Sequence, residues 1–230
     1  MKLYESKKLH YNKYLFKLLI PSDCSSFFRT EFQKAGTLSY AKQKLDECNQ
    51  YHDAKKTFIT LPWGTRFFNT ISNEDYYDAI TIYRYLRKYR NFDFMIRCEH
   101  NRLIIYCSDR KFLVNLSNKL RNRFIEFWEP DPLKINFLLN NKNIILVNSV
   151  PLYEYKCTFG KKNGNPALAK WISNNPHLAK IGDVAKNECL NQGWVKGYYF
   201  FARDEQALLM AQMIVGDNIQ RIEQLVYTDK

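Results

Sequence analysis

The sequence predicts an α+β fold with antiparallel sheets, and three observations support this prediction. A hairpin pattern covers 92–107, where two apolar runs of period two flank the polar stretch Glu99-His100-Asn101-Arg102. Helical patterns lie immediately before and after that hairpin, over 73–89 and from 109 onward. A similar alternation of strands and helices returns between 153 and 227.

The hairpin assigns each of its side chains to one of two sheet faces. With the turn centred on His100 and Asn101, one face is apolar throughout and should be buried, comprising Phe94, Ile96, Cys98, Leu103, Ile105 and Cys107. The opposite face is mixed and carries Met95, Arg97, Ile104 and Tyr106. We expect any local function of the hairpin to lie on this mixed face.

The residues from 56 to 130 complete a β-α-β-β-α-β unit around the hairpin. Its predicted elements are 56–61, 73–89, 92–107, a helix from 109 onward, and 124–129. Ser72 and Asp75 resemble a capping box at the start of the first helix, and the second helix opens at Asp109. The loop 62–69 contains three aromatic residues and one arginine, which predicts either a core plug or a loop that contacts a partner.

The rest of the chain flanks this central unit on both sides. Residues 1–55 are predicted to be an N-terminal extension, with a strand over 14–20 that Pro21 ends and helices over 25–32 and 38–51. Pro130 and Pro132 mark the start of a second, irregular α+β unit over 131–230.

The second unit repeats the order of the central one. Its first apolar runs predict a hairpin of strands 134–139 and 144–147, with a helix over 131–140 as the alternative. The later elements are predicted as strand 153–159, helices 166–172 and 182–190, strand 197–202, a helix capped by Asp204, and strand 219–227. The sequence therefore predicts tandem ferredoxin-like units, with an N-terminal strand and helices added.

Composition places the chain among globular, basic proteins. Its hydrophobic content is 46%, and 35 Lys and Arg residues against 23 Asp and Glu residues give a net charge of +12. Such an excess of positive charge favours polyanionic partners. The chain is also rich in Asn, Lys, Ile, Tyr and Phe, which AT-rich codons supply, so we expect a phage or viral source.

The cysteines and the hydropathy pattern bear on the compartment. The six cysteines are scattered, without a C-x-x-C motif, and the hairpin register places Cys98 opposite Leu103 and Phe94 opposite Cys107. We therefore expect reduced core thiols and a cytoplasmic protein, in the host cytoplasm if the protein is viral. No signal sequence is evident, and no apolar run approaches the roughly 20 residues of a membrane helix, so no membrane partner is expected.

The sequence contains none of the common catalytic motifs. The patterns of a phosphate loop, a dinucleotide fold, a zinc protease and a hydrolase elbow are all missing, so we predict no catalytic residue, no metal and no cofactor. The stretch Gly160-Lys-Lys-Asn-Gly164 predicts a plain turn. We expect His10, His52, His100 and His177 to lie in exposed loops or tails.

Basic residues crowd the stretch from Arg84 to Arg123. The residues predicted to bind nucleic acid are Arg84, Arg87, Lys88, Arg90, Arg97, Tyr106, Arg110, Lys111, Lys119, Arg121 and Arg123. We expect both helices of the central unit to run the same way across the sheet, which brings the clusters at their C-terminal ends together as one basic patch at one end of the domain.

The mixed face of the hairpin resembles the platform of RNA-recognition modules, which stack bases on an aromatic residue of a central strand. Tyr106 is that aromatic residue, with Arg97 beside it. The signature of those modules, a basic residue followed by Gly, an aromatic, Gly or Ala and an aromatic, does not occur from Arg102 to Cys107. The alternative is that the second half of the chain packs on this face and Tyr106 belongs to an interdomain core.

Three hypotheses of function follow. The first is a non-catalytic protein that binds RNA or single-stranded DNA. The second is a metal-independent RNA endonuclease, because tandem ferredoxin-like units resemble the CRISPR repeat-processing endonucleases; their glycine-rich loop near the C-terminus does not occur here. The third is a virion-assembly or host-interaction protein that binds an acidic protein surface.

Overall fold

The computed structural model describes residues 1–29, 36–62, 70–121 and 124–228. The fold is mixed α+β, with seven α-helices in those ranges and mainly antiparallel sheets. The chain divides into two compact units, unit 1 (Met1–Asn136) and unit 2 (Phe137–Lys230). The described residues do not include Arg123 or most of the loop predicted at 62–69. The structure therefore does not test these two predictions.

Unit 1 is built around a five-stranded sheet. Its elements are β1 (Lys2–Glu5), β2 (Phe16–Pro21), α1 (Gly36–Asn49), β3 (Phe58–Thr60), β4 (Thr70–Ser72), α2 (Asn73–Lys88), β5 (Phe94–Glu99), β6 (Arg102–Cys107), α3 (Arg110–Ser117) and β7 (Glu126–Glu129). A short 3-10 helix, Ser25–Phe28, follows β2. The strand order is β1-β7-β2-β6-β5, where β1 is parallel to β7 and all other neighbours are antiparallel.

The strand predicted at 56–61 is present as β3, but its place as the first strand of the central unit was wrong. β3 pairs only with β4 in a separate two-stranded sheet, and β2 lies at the centre of the main sheet instead. The burial explains this: Leu18, Leu19 and Ile20 of β2 are all buried, whereas Ile59 is the one buried residue of β3. A strand with sheet neighbours on both sides and buried side chains on both faces must be apolar along its length. Two strands of the N-terminal region, β1 and β2, therefore belong to the main sheet.

The predicted hairpin register is confirmed. β5 and β6 pair Phe94 with Cys107 and Cys98 with Leu103, and the chain turns at His100, which has a φ of 50°. Leu103 and Ile105 are fully buried, as the apolar face requires. All six cysteines are free, and five of them are buried while Cys98 is half-buried.

Side-chain caps fix the starts of helices α2 and α3 in unit 1. The Ser72 hydroxyl accepts a hydrogen bond from the Asp75 N–H at 3.1 Å, as predicted. The Asp109 carboxylate accepts one from the Phe112 N–H at 3.0 Å. Each bond satisfies one of the backbone donors that a helix leaves unpaired in its first turn.

Unit 2 contains a second five-stranded sheet. The elements from the unit boundary onward are α4 (Ile135–Asn140), β8 (Ile144–Val147), β9 (Tyr155–Phe159), α5 (Pro166–Asn174), β10 (Ala179–Ile181), α6 (Asp183–Leu190), β11 (Tyr199–Ala202), α7 (Glu205–Val215) and β12 (Ile219–Tyr227). The strand order is β10-β11-β9-β12-β8, with β8 parallel to β12 and the other neighbours antiparallel.

The predicted strand 134–139 was wrong, and the alternative helix is present. Asp131 accepts a hydrogen bond from the Leu133 N–H at 3.0 Å and starts a 3-10 turn, Pro132–Lys134, that leads directly into α4. Proline is tolerated in a first helical turn because its missing N–H has no helical partner there.

The two sheets share one topology. In unit 1 we number β2, β5, β6 and β7 as the first to fourth strands, and in unit 2 we number β9, β10, β11 and β12 in the same way. With this numbering both sheets have the strand order 4-1-3-2. In each sheet one preceding strand, β1 or β8, lies parallel beside the fourth.

Two further features occur at equivalent positions of the units. Lys17 pairs with Tyr106 between the first and third strands of unit 1, and Lys156 pairs with Phe201 in unit 2. Asp204 caps α7 by accepting from the Ala207 N–H at 2.9 Å, just as Asp109 caps α3. Equivalent residues of the two units can therefore be compared directly.

The helices of unit 2 bury one face of its sheet. Cys157, Phe159 and Phe200 of the strands form a core with Leu168 of α5 and Leu208 of α7. Because side chains alternate between the faces of a strand, the residues next to these in the sequence belong to the opposite face. Across the described ranges, no helix combines the length and apolar character that crossing a membrane requires.

Candidate nucleic-acid interface

The face of unit 1 that carries Tyr106 is covered around this residue. Tyr106 is only 6% exposed, and its ring lies 5.3 Å from His10, 5.1 Å from Tyr11 and 6.5 Å from Tyr14 between ring centroids. A base cannot stack on a ring in this position. The prediction of an open platform at Tyr106 was therefore wrong, and the covering rings come from the N-terminal segment of unit 1 itself.

This covering segment, residues 10–14, is held by several polar contacts and is called the N-terminal cover below. Lys13 forms an ion pair with Asp93 at 2.6 Å, and Arg97 donates a hydrogen bond to the Tyr11 hydroxyl at 2.6 Å. Arg97 also forms an ion pair with Glu99 at 2.5 Å. The predicted site residue Arg97 thus holds the cover in place.

His10 does not lie in an exposed loop, as was predicted. It packs on Tyr106, and one ring nitrogen is 3.1 Å from the Ser6 hydroxyl oxygen. Burial, with Lys17 and Lys8 nearby, lowers the pKa of His10 to about 4. The imidazole is therefore neutral near pH 7, because burial disfavours its charged form.

The predicted single basic patch is not formed. Arg84, Arg87, Lys88 and Arg90 are exposed around the C-terminal end of α2. Arg121 lies near the other end of α2. Its guanidinium is 4.4 Å from the Tyr77 ring centroid, and its backbone N–H donates a hydrogen bond to the Asp78 carboxylate at 2.8 Å. Tyr77 and Arg87 are separated by roughly 15 Å along the helix axis at ~1.5 Å per residue.

The direction of the helices accounts for this error. The Tyr85 hydroxyl near the end of α2 donates to the Phe112 carbonyl near the start of α3 at 2.8 Å, so the two helices run antiparallel. Their C-terminal clusters must then lie apart. The structure places Lys111, at the start of α3, towards the end of α2 instead, while Arg110 forms an ion pair with Glu129 at 2.5 Å. Lys119 is exposed beyond the other end of α3.

An exposed pair of aromatic rings lies on the sheet of unit 2. Tyr199 is 43% exposed and Phe201 is partly exposed, and their rings meet edge to face at a centroid distance of 5.4 Å. The ammonium of Lys156 lies 4.1 Å from the Tyr199 ring centroid. Phe200, between the two rings in sequence, points into the core, which explains why both neighbours face outward.

Further cations share this face by strand register. Lys180 pairs with Phe201, and Arg221 pairs with Thr158, which in turn pairs with Tyr199. Arg221 also contacts the carboxylate of Glu223, an acidic residue on the same face, at 3.2 Å. We refer to Lys156, Lys180, Tyr199, Phe201 and Arg221 as the unit 2 platform. It combines flat apolar surface with three cations, which suits bases and phosphates respectively.

A cavity of about 190 Å³ adjoins the platform. Its lining residues are Gly182, Asp183, Val184, Ala185, Tyr198 and Tyr199. Tyr199 thus belongs to both the platform and the cavity wall.

None of the platform residues was predicted from the sequence. A usable pattern was present, because Lys196-Gly197-Tyr198 begins as the RNA-recognition signature does, with a basic residue, a glycine and an aromatic. The exposed rings here are at 199 and 201, one position later than the signature places them.

No family model, curated protein or solved structure matches the chain. Within the described residues, no group of three or more His, Cys, Asp or Glu side chains is arranged to hold a metal ion.

Proposed function

We propose that the protein binds single-stranded nucleic acid, either RNA or single-stranded DNA, through the unit 2 platform. The observation that carries this proposal is the exposed pair Tyr199 and Phe201 on a central strand, with Lys156 above the Tyr199 ring. An exposed aromatic ring on a sheet can stack an unpaired base, a contact worth about 1–3 kcal/mol per base. A base inside a duplex is already stacked on its neighbours, so the platform favours single strands.

We further propose that both units are ferredoxin-like. The support is the strand order 4-1-3-2 in each sheet, with helices α2 and α3 or α5 and α7 in the connections between strands. In this fold the helices cover one sheet face and leave the other available. Sheets of this topology that bind RNA use that second face.

The exposed cations of unit 1 supply attraction without base recognition. Arg84, Arg87, Lys88, Arg90 and Lys111 lie at one end of the α2 and α3 pair, and the chain carries a net charge of +12. Cations of this kind attract phosphates over a distance that salt shortens. We propose that they raise affinity for any polyanion and contribute most of its salt dependence.

Fluorescence anisotropy with a labelled 12-nucleotide RNA tests the proposal on the full-length protein. Tyr199→Ala should weaken binding about 5- to 150-fold, which corresponds to about 1–3 kcal/mol. Tyr40→Ala is the matched control, because Tyr40 is 39% exposed and has the Lys44 ammonium 5.7 Å from its ring centroid, but it lies on helix α1. This control should change affinity less than about twofold.

The same samples separate the alternative functions. Intact RNA on a denaturing gel supports binding alone, whereas cleaved RNA would favour the endonuclease hypothesis. Equal affinity of Tyr199→Ala and wild type would contradict the platform. If the wild type binds neither RNA nor single-stranded DNA at low salt, the proposed function is wrong and an acidic protein surface becomes the favoured partner.

A further inference from the structure

The cavity beside Tyr199 has the size and position of a pocket for one base. Its volume is about 190 Å³, below the roughly 300–1,000 Å³ of pockets for drug-sized ligands, so it has room for a single flat ring system. The Tyr199 ring is already contacted by Lys156 and by the edge of Phe201. The cavity gives an additional approach to the same side chain from the side of Gly182.

The charge of the cavity lining distinguishes a base from a phosphate. Asp183 is its one carboxylate, and no lysine or arginine lines it. A phosphate would be repelled by Asp183, whereas a base is neutral. The three cations of the platform lie on the sheet face, where a phosphate backbone can run. A strand bound to the platform would therefore place its backbone over the cations and direct a base into the cavity.

We propose that this cavity selects one base of the bound strand, and that the preferred base is guanine; this inference rests on the proposed function. An ionised carboxylate can only accept hydrogen bonds, and its two oxygens suit two adjacent donors. Guanine presents such a pair, its ring N1–H and its 2-amino group. Adenine and cytosine offer one amino group each, and uracil offers one ring N–H.

Gly182 provides a way to close the cavity without disturbing the backbone. A Cβ atom built at Gly182 meets no atom within 4 Å. Its φ of −72° and ψ of 150° are ordinary extended values that any residue adopts. Gly182→Leu should therefore fold normally and fill the open space at the cavity, while Tyr199 keeps its place on the platform.

The test uses full-length protein and four labelled nine-nucleotide RNAs that differ only at a central position within a uridine tract. The wild type should bind the RNA with central guanine at least about fivefold more tightly than the other three. Gly182→Leu and Asp183→Asn should both remove this preference. Asp217→Asn, which removes an exposed carboxylate of unit 2 outside the cavity, should keep the preference.

The outcomes separate the two proposals. Equal affinity for all four RNAs, or a guanine preference that survives Gly182→Leu, would contradict the pocket while the platform stands. A preference for another base that both variants abolish would support the pocket and overturn the assignment of guanine. If no RNA binds the wild type at all, the proposed function fails and the pocket fails with it. Circular dichroism spectra identical to wild type confirm that each variant is folded.

Discussion

The two sheets of this protein have the same strand order, but the sheet face away from the helices is packed around Tyr106 in unit 1 and exposed at Tyr199 in unit 2. In unit 1 the pair Lys17 and Tyr106 lies beneath the N-terminal cover, and Tyr106 is buried. In unit 2 the equivalent pair, Lys156 and Phe201, lies beside Tyr199, which is exposed. The comparison shows that the strand arrangement does not decide whether such a face is core or surface.

The segment before the first strand makes the difference. In unit 1, the connection from β1 to β2 contains the aromatic residues that pack on Tyr106. In unit 2, the connection from β8 to β9 leaves Val150 and Leu152 largely exposed, and the Tyr153 hydroxyl donates to the Pro176 carbonyl beyond α5. Aromatic residues in that connection therefore convert a possible binding face into a packed one.

Most of the net positive charge lies in unit 1, which is not the unit that carries the exposed aromatic platform. Unit 1 contains 24 of the 35 Lys and Arg residues and 15 of the 23 Asp and Glu residues, so most of the excess positive charge belongs to it. The exposed aromatic platform belongs to unit 2. We infer that the attraction of a polyanion and the recognition of its bases are mainly properties of different units.

The largest effect should come from Tyr106→Ala. Removing a buried aromatic side chain that contacts three other rings should lower the free energy of unfolding by about 3–5 kcal/mol, because it leaves a cavity. Phe201→Ala, at the equivalent but partly exposed position, should cost about 1 kcal/mol or less. Urea unfolding followed by circular dichroism measures both. A Tyr106→Ala variant as stable as Phe201→Ala would show that the N-terminal cover does not pack as described.

A smaller effect should follow acidification through His10. Its pKa is lowered to about 4 in the folded protein from an ordinary 6.5, so the unfolded chain binds more protons between these values. The stability this neutral histidine contributes is present above pH 6.5 and is lost as pH falls towards 4, by about 3 kcal/mol in total.

Melting temperatures at pH 7.5 and pH 4.5 measure this loss. The pKa values of Asp23 and Asp75 are raised by burial, so these carboxyls oppose the trend, and a matched comparison isolates His10. His10→Gln should melt with a smaller difference between the two pH values than wild type. His177→Gln, at an exposed position, should behave as wild type. Equal pH dependence of all three proteins would contradict a packed, neutral His10.

The smallest effect, about 1 kcal/mol, should come from reversing charges at the end of α2. Arg84→Glu combined with Arg87→Glu should weaken RNA binding severalfold at low salt and reduce the slope of log affinity against log salt concentration. The loss from Tyr199→Ala should persist at high salt, because stacking needs no net charge. Anisotropy titrations at 50 and 300 mM salt make the comparison. A Tyr199→Ala effect that vanishes with salt would mean that the platform acts only through its charge.

Local patterns predicted the local features of this fold well. The hairpin register between Phe94 and Cys107 and the caps at Ser72, Asp109 and Asp204 all depend on residues close in sequence. The central position of β2 could not be predicted in this way, because periodicity identifies a strand but not its neighbours.

The errors at the site have two causes. The antiparallel direction of α2 and α3 is a consequence of the predicted β-α-β-β-α-β order itself, because the hairpin between the two helices reverses the chain. The cover depends on contacts such as that between Tyr11 and Arg97, which lie far apart in sequence. Aromatic residues are also common in buried strands, so the sequence around Tyr199 does not show that its ring is exposed. Only the packing of the helices on one sheet face shows which residues of the strand face outward.

Photo-cross-linking tests the central claim most directly. RNA containing 4-thiouridine is bound to the full-length protein, irradiated and digested, and the cross-linked peptides are identified by mass spectrometry. We predict cross-links at Tyr199 and Phe201, and none at Tyr106, whose ring the N-terminal cover shields. Cross-links at Tyr106 without any at Tyr199 or Phe201 would contradict the assignment of an open face to unit 2 and a packed face to unit 1.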